Sequence, residues 1–206
     1  MSPDEARMAI GAGADSLGLV SSMPSGPGVI SDSKIREVTQ IIPPSIDAFV
    51  LTALDNSWDL IDLIRKVKNR TIQLVDRLNT GNYQEIRASI PCVKIVQVIH
   101  VMNEEAIEQA IRVSSYVDAI LLDSGNTELP TKELGGTGKT HDWNISREIV
   151  EQVDTPVFLA GGLNPDNVVE AIEIVKPFGV DVCNGVRTNE KLDPAKLKKF
   201  IDNVKR

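Results

Sequence analysis

Short runs of apolar and β-branched residues alternate with segments of helical periodicity along the chain, and this alternation constrains the fold more than any other feature. Most of the runs are continuously apolar, which is typical of strands that are buried on both faces. Seven runs are predicted as strands, at residues 16–20, 48–51, 71–75, 93–101, 117–123, 157–160 and 180–183. Strands that alternate with helices form βαβ units and therefore a parallel sheet.

The segments between these runs carry the helical pattern. Helices are predicted at residues 3–11, 33–41, 58–67, 82–88, 103–113, 145–153, 165–175 and 194–204. Ser2, Asn164 and Asp193 each precede a proline at a helix start, and all three are predicted to be N-caps. Since no Gly/Ser-rich linker or block of charge interrupts the pattern, residues 1–206 are predicted to form a single (β/α) barrel domain.

The number of strands is one short of a closed barrel. The α/β fold expected for this pattern is the (β/α)8 TIM barrel, which has eight strands, and the chain opens with a helix instead of a strand. The sequence therefore predicts a TIM barrel whose strand 1 is missing from the chain. Such a barrel would have open edges at strands 16–20 and 180–183, so we expect a chain that is only marginally folded.

Composition excludes several classes of partner. The net charge is −7 and the pI about 4.9, so nucleic acid is not an expected partner. No apolar run is long enough to span a membrane, and no signal peptide is recognisable, so we expect a cytoplasmic protein. Cys92 and Cys183 lack metal-ligand spacing, so neither a metal nor a disulfide is predicted, and both are expected to be buried structural thiols.

Glycines follow the last two predicted strands. Gly161 and Gly162 come after the strand at 157–160, and Asn184 and Gly185 after the strand at 180–183. If the missing strand is counted, these are strands seven and eight, whose loops form the recurrent phosphate site of such barrels. Glycines let the backbone approach a ligand closely and present N–H groups to it. The sequence therefore predicts that these four residues bind a phosphorylated small molecule.

Two carboxylates and one loop are further candidates. Asp123 ends an apolar strand, where barrel enzymes place catalytic groups, although a helix cap or a loop salt bridge would explain it equally well. Asp181 is a weaker candidate of the same kind. The loop Gly135-Gly136-Thr137-Gly138 is predicted to be a mobile active-site loop, and its spacing does not fit a phosphate-binding P-loop.

Several motifs together resemble the phosphoribosylanthranilate isomerase family. In chain order they are Leu121-Leu122-Asp123-Ser124, Gly135-Gly136-Thr137-Gly138, His141-Asp142-Trp143, Pro156 to Leu163, Pro165 with Asn167-Val168, Gly179-Val180-Asp181-Val182 and Gly185-Val186. Weaker similarity extends back to Pro3, so that the resemblance covers essentially the whole chain.

This resemblance implies a cofactor-independent aldose–ketose isomerase of tryptophan biosynthesis, either a monomer or a homodimer. The reaction is the Amadori-type conversion of N-(5-phosphoribosyl)anthranilate to 1-(2-carboxyphenylamino)-1-deoxyribulose 5-phosphate. Asp123 aligns with the family's general acid, with Asp181 as a supporting residue. The family's base is a cysteine on the first strand, just before the segment that aligns with Met1-Ser2-Pro3, and this sequence holds no such cysteine.

The chain also departs from the family pattern at two other positions. Gly28 stands where many members have an arginine that holds the anthranilate carboxylate, and Val75 stands where many have a histidine. Two alternatives are therefore kept beside the isomerase interpretation. One is a non-catalytic barrel that binds a phosphorylated sugar, and the other is an isomerase of a different aminosugar phosphate.

Overall fold

Seven parallel strands lie in one sheet in the order in which they occur in the chain. The structure, a computed structural model, describes residues 1–23, 28–125 and 140–206. Its strands are β1 Ser16–Val20, β2 Asp47–Thr52, β3 Thr71–Leu74, β4 Lys94–His100, β5 Ala119–Asp123, β6 Val157–Leu159 and β7 Gly179–Val180. Each overlaps a predicted run, β7 by the single residue Val180, so the existence and order of the seven predicted strands are confirmed. Together with the intervening helices they form an α/β fold of the TIM-barrel type, and the described residues hold no eighth parallel strand.

The contacts group the chain into two compact units, residues 1–98 with 116–118 and residues 99–115 with 119–206. The division passes through β4, whose last two residues belong to the second unit. This grouping does not test the prediction of a single domain.

The first unit contains four helices packed with parallel strands. The helices are α1 Pro3–Ala12, α2 Asp32–Ile41, α3 Ser57–Val67 and α4 Tyr83–Ser89. The predicted cap at Ser2 is confirmed, because Ser2 Oγ accepts a hydrogen bond from the backbone N–H of Glu5 at 3.1 Å and Glu5 Oε2 accepts one from Ser2 N–H at 3.2 Å. Helix α3 buries Leu60, Ile61 and Ile64, and this apolar stripe anchors the helix in the core.

The second unit carries the remaining helices, α5 Glu105–Ser114, α6 Trp143–Gln152, α7 Val168–Val175 and α8 Pro194–Val204. The first four residues of β5 are buried, as predicted for a strand covered on both faces. The predicted cap at Asp193 is confirmed, since its Oδ1 accepts hydrogen bonds from the N–H groups of Ala195 and Lys196 at 3.0 and 3.1 Å.

Two predicted boundaries are wrong by three residues, and the others agree with the structure to within two. Helix α7 begins at Val168, three residues later than expected, because Asn164 Oδ1 accepts a hydrogen bond from Asp166 N–H at 2.8 Å and holds residues 165–167 in a turn. Strand β7 ends at Val180 and not at residue 183. Asp181 N–H still donates to Leu159 C=O at 2.8 Å, and the chain then turns away from β6.

The segment after β7 was not predicted. A short 3₁₀ helix spans Asn184–Val186, and an antiparallel hairpin of β8 Arg187–Thr188 and β9 Lys191–Leu192 leads into α8. The hairpin turn uses Asn189 and Glu190 with φ of 49° and 64°. The sequence did not predict this hairpin because tight hairpin turns usually contain a glycine, and this turn contains none.

Candidate active site

A cavity of about 220 Å³ lies at the carboxyl ends of β5, β6 and β7, within the second unit. Its lining residues are Asp123, Ala160, Gly161, Gly162, Leu163, Asn164, Asp181, Val182, Cys183, Asn184 and Gly185. The cavity thus brings together all six described residues that the sequence singled out, namely the two carboxylates and the four residues of the predicted phosphate site. Carboxyl ends of parallel strands are where α/β barrels place their ligands.

The loop after β6 can be built only with glycine. Gly161 and Gly162 have φ of 79° and 66°, in the left-handed region. A Cβ on Gly161 would lie 2.8 Å from Ser124 N and 2.9 Å from Ser124 Oγ. The loop therefore packs directly against the residue that follows Asp123. Among the described residues, the N–H groups of both glycines have no acceptor, so they are available to a ligand.

Two asparagines hold the shape of this loop. Asn164 N–H donates to Asn167 Oδ1 at 2.8 Å, and Asn167 Nδ2 donates to Gly162 C=O at 3.1 Å. Sequence reasoning placed Asn164 as a helix cap and gave Asn167 no role of its own. The spacing of two Asn three residues apart after a double glycine is the signal that could have identified them.

The loop after β7 packs against the loop after β6. A Cβ on Gly185 would overlap the carbonyl oxygen of Leu163 and lie 2.9 Å from Asn164 Cα. The two backbones can approach this closely only because residue 185 has no side chain. The 3₁₀ helix that begins at Asn184 turns its first residues toward the cavity, so the predicted pair Asn184 and Gly185 lies beside Gly161 and Gly162 in the cavity lining.

Asp123 ends β5 at the wall of the cavity. Burial raises the pKa of its carboxyl. Hydrogen bonding from Ser124 and the charge of His100 act in the opposite direction, and Ser124 N–H donates to Asp123 Oδ1 at 2.7 Å. The pKa remains raised on balance. A carboxylic acid that keeps its proton closer to neutral pH is suited to act as a general acid.

Asp181 follows β7 and lines the same cavity. Burial and the negative charge of Asp123 raise the pKa of Asp181 to about 6. The exposed surface of the Asp181 side chain faces the cavity that it lines. The protein that encloses the carboxyl on its other sides accounts for the raised pKa of Asp181. Two neighbouring carboxyl groups favour a state in which one of them is protonated.

Cys183 differs from its prediction. The sequence indicated buried structural thiols, and both Cys92 and Cys183 are exposed. Cys92 lies at a turn with φ of 63°, and Cys183 lines the cavity next to the 3₁₀ helix. Although the side chain is open to the cavity, the protein around the thiol and the charge of Asp181 raise the pKa of Cys183, so that the thiol form predominates at neutral pH.

The predicted loop Gly135-Gly136-Thr137-Gly138 lies outside the described residues. After it, His141 Nε2 is 2.7 Å from Ser146 Oγ, which is fully buried. Burial lowers the pKa of His141 to about 4, against the opposing charge of Asp142. His141 is therefore a neutral structural partner of α6 at physiological pH.

The described residues lack both a metal-binding cluster and a membrane-spanning helix. No three His, Cys, Asp or Glu side chains come together in a way that could hold a metal ion. None of the helices in residues 1–23, 28–125 and 140–206 has the length and apolar character needed to cross a membrane.

Comparison with known proteins gives consistent results. The family model for N-(5'-phosphoribosyl)anthranilate isomerase matches residues 4–203. The N-(5'-phosphoribosyl)anthranilate isomerase of Methanocella arvoryzae is 35% identical over 98% of this chain and 93% of its own length.

Two solved structures are also similar over nearly the whole chain. One shows monomers generated from the dimeric phosphoribosylanthranilate isomerase of Thermotoga maritima, with a TM-score of 0.79 and 26% identity, covering 99% of this chain and 94% of that one. The other is a phosphoribosylanthranilate isomerase in complex with reduced 1-(o-carboxyphenylamino)-1-deoxyribulose 5-phosphate, with the same score, identity and coverage.

These matches do not support the prediction that strand 1 is missing from the chain. The chain covers 93% of the Methanocella relative and 94% of each of these solved structures. The expectation of a marginally folded, inactive chain depended on that loss and has no support either.

Proposed function

Because this chain belongs to the N-(5'-phosphoribosyl)anthranilate isomerase family, we propose that Asp123 is its general acid and that the loops after β6 and β7 hold the substrate phosphate. Its function is the isomerisation of N-(5'-phosphoribosyl)anthranilate in tryptophan biosynthesis. The single observation that carries the residue assignment is the cavity, in which a protonatable carboxyl and two glycine loops line one space.

The proposed first step is proton transfer from Asp123 to the furanose ring oxygen. The C1–O bond then breaks, and C1 becomes the carbon of a cationic Schiff base. Transfer of the C2 proton to solvent gives an enolamine. Uptake of a proton at C1 and release of the C2 hydroxyl proton then give the ketone at C2. Because C1 is reduced as C2 is oxidised, the reaction is an internal redox change and requires no external electron acceptor.

Asp181 has a supporting role in this scheme. The Schiff base carries a positive charge close to the reacting carbon, and an ionised carboxylate at the cavity wall stabilises that charge. With a pKa of about 6, Asp181 is mostly ionised at neutral pH and can supply this anion, while burial raises the pKa of Asp123 above the usual range of an aspartate. In this proposal Asp123 is the acid and Asp181 the anion.

The phosphate is proposed to be bound mainly by backbone N–H groups. Gly161, Gly162, Asn184 and Gly185 line one end of the cavity, and the first two present N–H groups that lack a protein acceptor among the described residues. Neutral backbone donors suit a chain with a net charge of −7, because they bind an anion without a cluster of basic side chains.

The decisive experiment combines kinetics and crystallography. The chain is expected to convert N-(5'-phosphoribosyl)anthranilate to the ketose product, and the conversion is monitored by the loss of substrate fluorescence. A crystal structure with the reduced product analogue is expected to place the phosphate over these four residues. A phosphate found elsewhere, for instance over Gly28, would contradict the assignment. Analogue binding without turnover would favour the non-catalytic barrel, and turnover of another aminosugar phosphate alone would favour the different isomerase.

A homologue from Thermotoga maritima is described as dimeric. For this chain we expect a monomer or a homodimer, which analytical ultracentrifugation distinguishes.

A further inference from the structure

We propose that His100 is a positioning residue of the reaction, which acts on the general acid Asp123 from outside the cavity wall and governs when Asp123 releases its proton. The inference goes beyond the residues assigned so far and rests on the proposed role of Asp123. His100 is one of only two histidines in the chain.

The first observation is the placement of His100. It is the last residue of β4, as Asp123 is the last residue of β5, and the two strands are neighbours in the sheet. The residue after His100 is tied to Asp123 directly, because Val101 N–H donates to Asp123 C=O at 2.9 Å. The backbone therefore fixes both side chains at the same edge of the sheet.

The second observation is the separation of His100 from the cavity. His100 is only 9% exposed and does not line the cavity, whereas Asp123 does. A substrate group in this cavity meets Asp123 in the wall, and His100 is not part of that wall. We therefore assign to His100 an effect on the reaction that passes through Asp123.

The third observation is the set of charges around Asp123. His100 approaches from the end of β4, and its positive form lowers the pKa of Asp123. Asp181 follows β7, and the negative charge of Asp123 raises the pKa of Asp181. Residues 160–162, which follow β6 at the cavity, carry no charged side chain. Asp123 therefore has on one side a histidine whose positive form favours the ionised carboxylate, and on the other a carboxyl whose titration is linked to its own.

This arrangement has a chemical consequence. Burial on its own raises the pKa of Asp123 and so weakens it as a proton donor. The positive form of the His100 ring stabilises the carboxylate that forms as the proton leaves. His100 thereby strengthens the acid at the moment of transfer without occupying space in the cavity.

The test is a direct titration of Asp123 by NMR of ¹³C-labelled aspartate carboxyl groups, with Asp123→Asn used to assign the signal. In His100→Gln the titration midpoint of the Asp123 carboxyl is expected to rise by about one pH unit, which is the lower end of the effect of a nearby opposite charge. In the kinetics, the limb on which kcat/KM falls with rising pH is expected to shift upward by a similar amount. A merely structural histidine would change the rate without moving this limb.

The matched control is His141→Gln, which removes the other histidine of the chain. Its ring bonds Ser146, and it is not among the groups that shift Asp123, so the Asp123 midpoint is expected to stay in place. His100→Asn serves as a second variant because Gln and Asn fill the buried site differently, and circular dichroism verifies folding of both.

An Asp123 midpoint that is unchanged in a folded His100 variant overturns the proposal. Failure of the general-acid role itself would appear separately, as near-normal turnover of Asp123→Asn. The titration and the turnover measurement therefore distinguish the two ideas.

Discussion

Asp123 is the residue on which the proposed chemistry depends most. Replacement by Asn keeps the size of the side chain and removes the transferable proton, so kcat is expected to fall by roughly 10²- to 10⁴-fold. The exposed Asp154, in the same unit, is the matched control, since Asp154→Asn alters a carboxylate remote from the cavity lining. Steady-state kinetics of both variants measure the effect. Near-normal turnover of a folded Asp123→Asn enzyme would contradict the assignment.

Titration of Asp181 is expected to make the free energy of unfolding depend on pH. Its pKa is raised in the folded state to about 6, so the folded chain binds this proton more readily than the unfolded chain does. The stability from this group is then fully present below about pH 4 and is lost as pH rises through about 6. Asp181→Asn removes this loss, and the variant is expected to gain stability relative to the native chain at pH 7.5 but not at pH 4.

Thermal melts at several pH values test this prediction. Because Asp181 is partly open to water, solvent screening keeps the effect small, and a gain in Tm of roughly 2–4 °C at pH 7.5 is expected, the shift that about 1 kcal/mol produces in a domain of this size. A gain of the same size at pH 4 and pH 7.5 would show that the titration of Asp181 is not its cause.

The strands and helices could be predicted because their signals are local and strong. The run Ala119-Ile120-Leu121-Leu122 is apolar throughout and folds as a fully buried strand, and Ser2 with Glu5 forms the capping box that its spacing indicates. The start of α7 was misplaced because Asn164 can cap a helix or hold a turn, and sequence alone does not separate these two uses.

The candidate site was predictable only in part, for a similar reason. Gly161, Gly162, Asp123 and Asp181 stand at strand ends, and parallel strands bring their ends together, so their meeting in one cavity follows from topology. The dependence of Asp123 on His100 does not follow from any spacing in the sequence. It arises from the neighbouring positions of β4 and β5, which only the folded sheet reveals.

The close packing of the loops after β6 and β7 can be tested by substitution of one glycine. Gly185→Ala forces a methyl group onto Leu163 C=O, and pushing the loops apart is expected to cost about 1–3 kcal/mol of stability and to raise KM. Gly11 provides the contrast, because a Cβ there meets nothing within 4 Å and the residue lies in α1. Gly11→Ala is expected to stabilise the chain by about 0.5–1 kcal/mol without affecting KM.

Denaturant unfolding and kinetics of these two variants are the measurements. If Gly185→Ala left both stability and KM unchanged, the close approach of the loops would not matter for the site. A destabilised Gly11→Ala variant would instead point to a contact of α1 that the structure does not contain.

For the whole molecule, net charge and the phosphate site make separable contributions to stability. A net charge of −7 produces self-repulsion that any salt screens, so sodium chloride is expected to raise Tm modestly. Inorganic phosphate should add a saturable gain, because a ligand that binds only the folded state stabilises it by about 2.7 kcal/mol at a hundred times its Kd. For a domain of this size that corresponds to roughly 5–10 °C.

Melts in phosphate and in chloride at matched ionic strength separate the two effects. The native chain is expected to melt at a higher temperature in phosphate than in chloride, with the difference saturating as phosphate increases. Gly185→Ala is expected to keep the gain from chloride, because its net charge is unchanged, and to lose most of the phosphate-specific part, because its two loops no longer meet. Equal gains from the two salts in the native chain would show that phosphate acts only by screening and that the backbone N–H groups of Gly161 and Gly162 do not form an anion site.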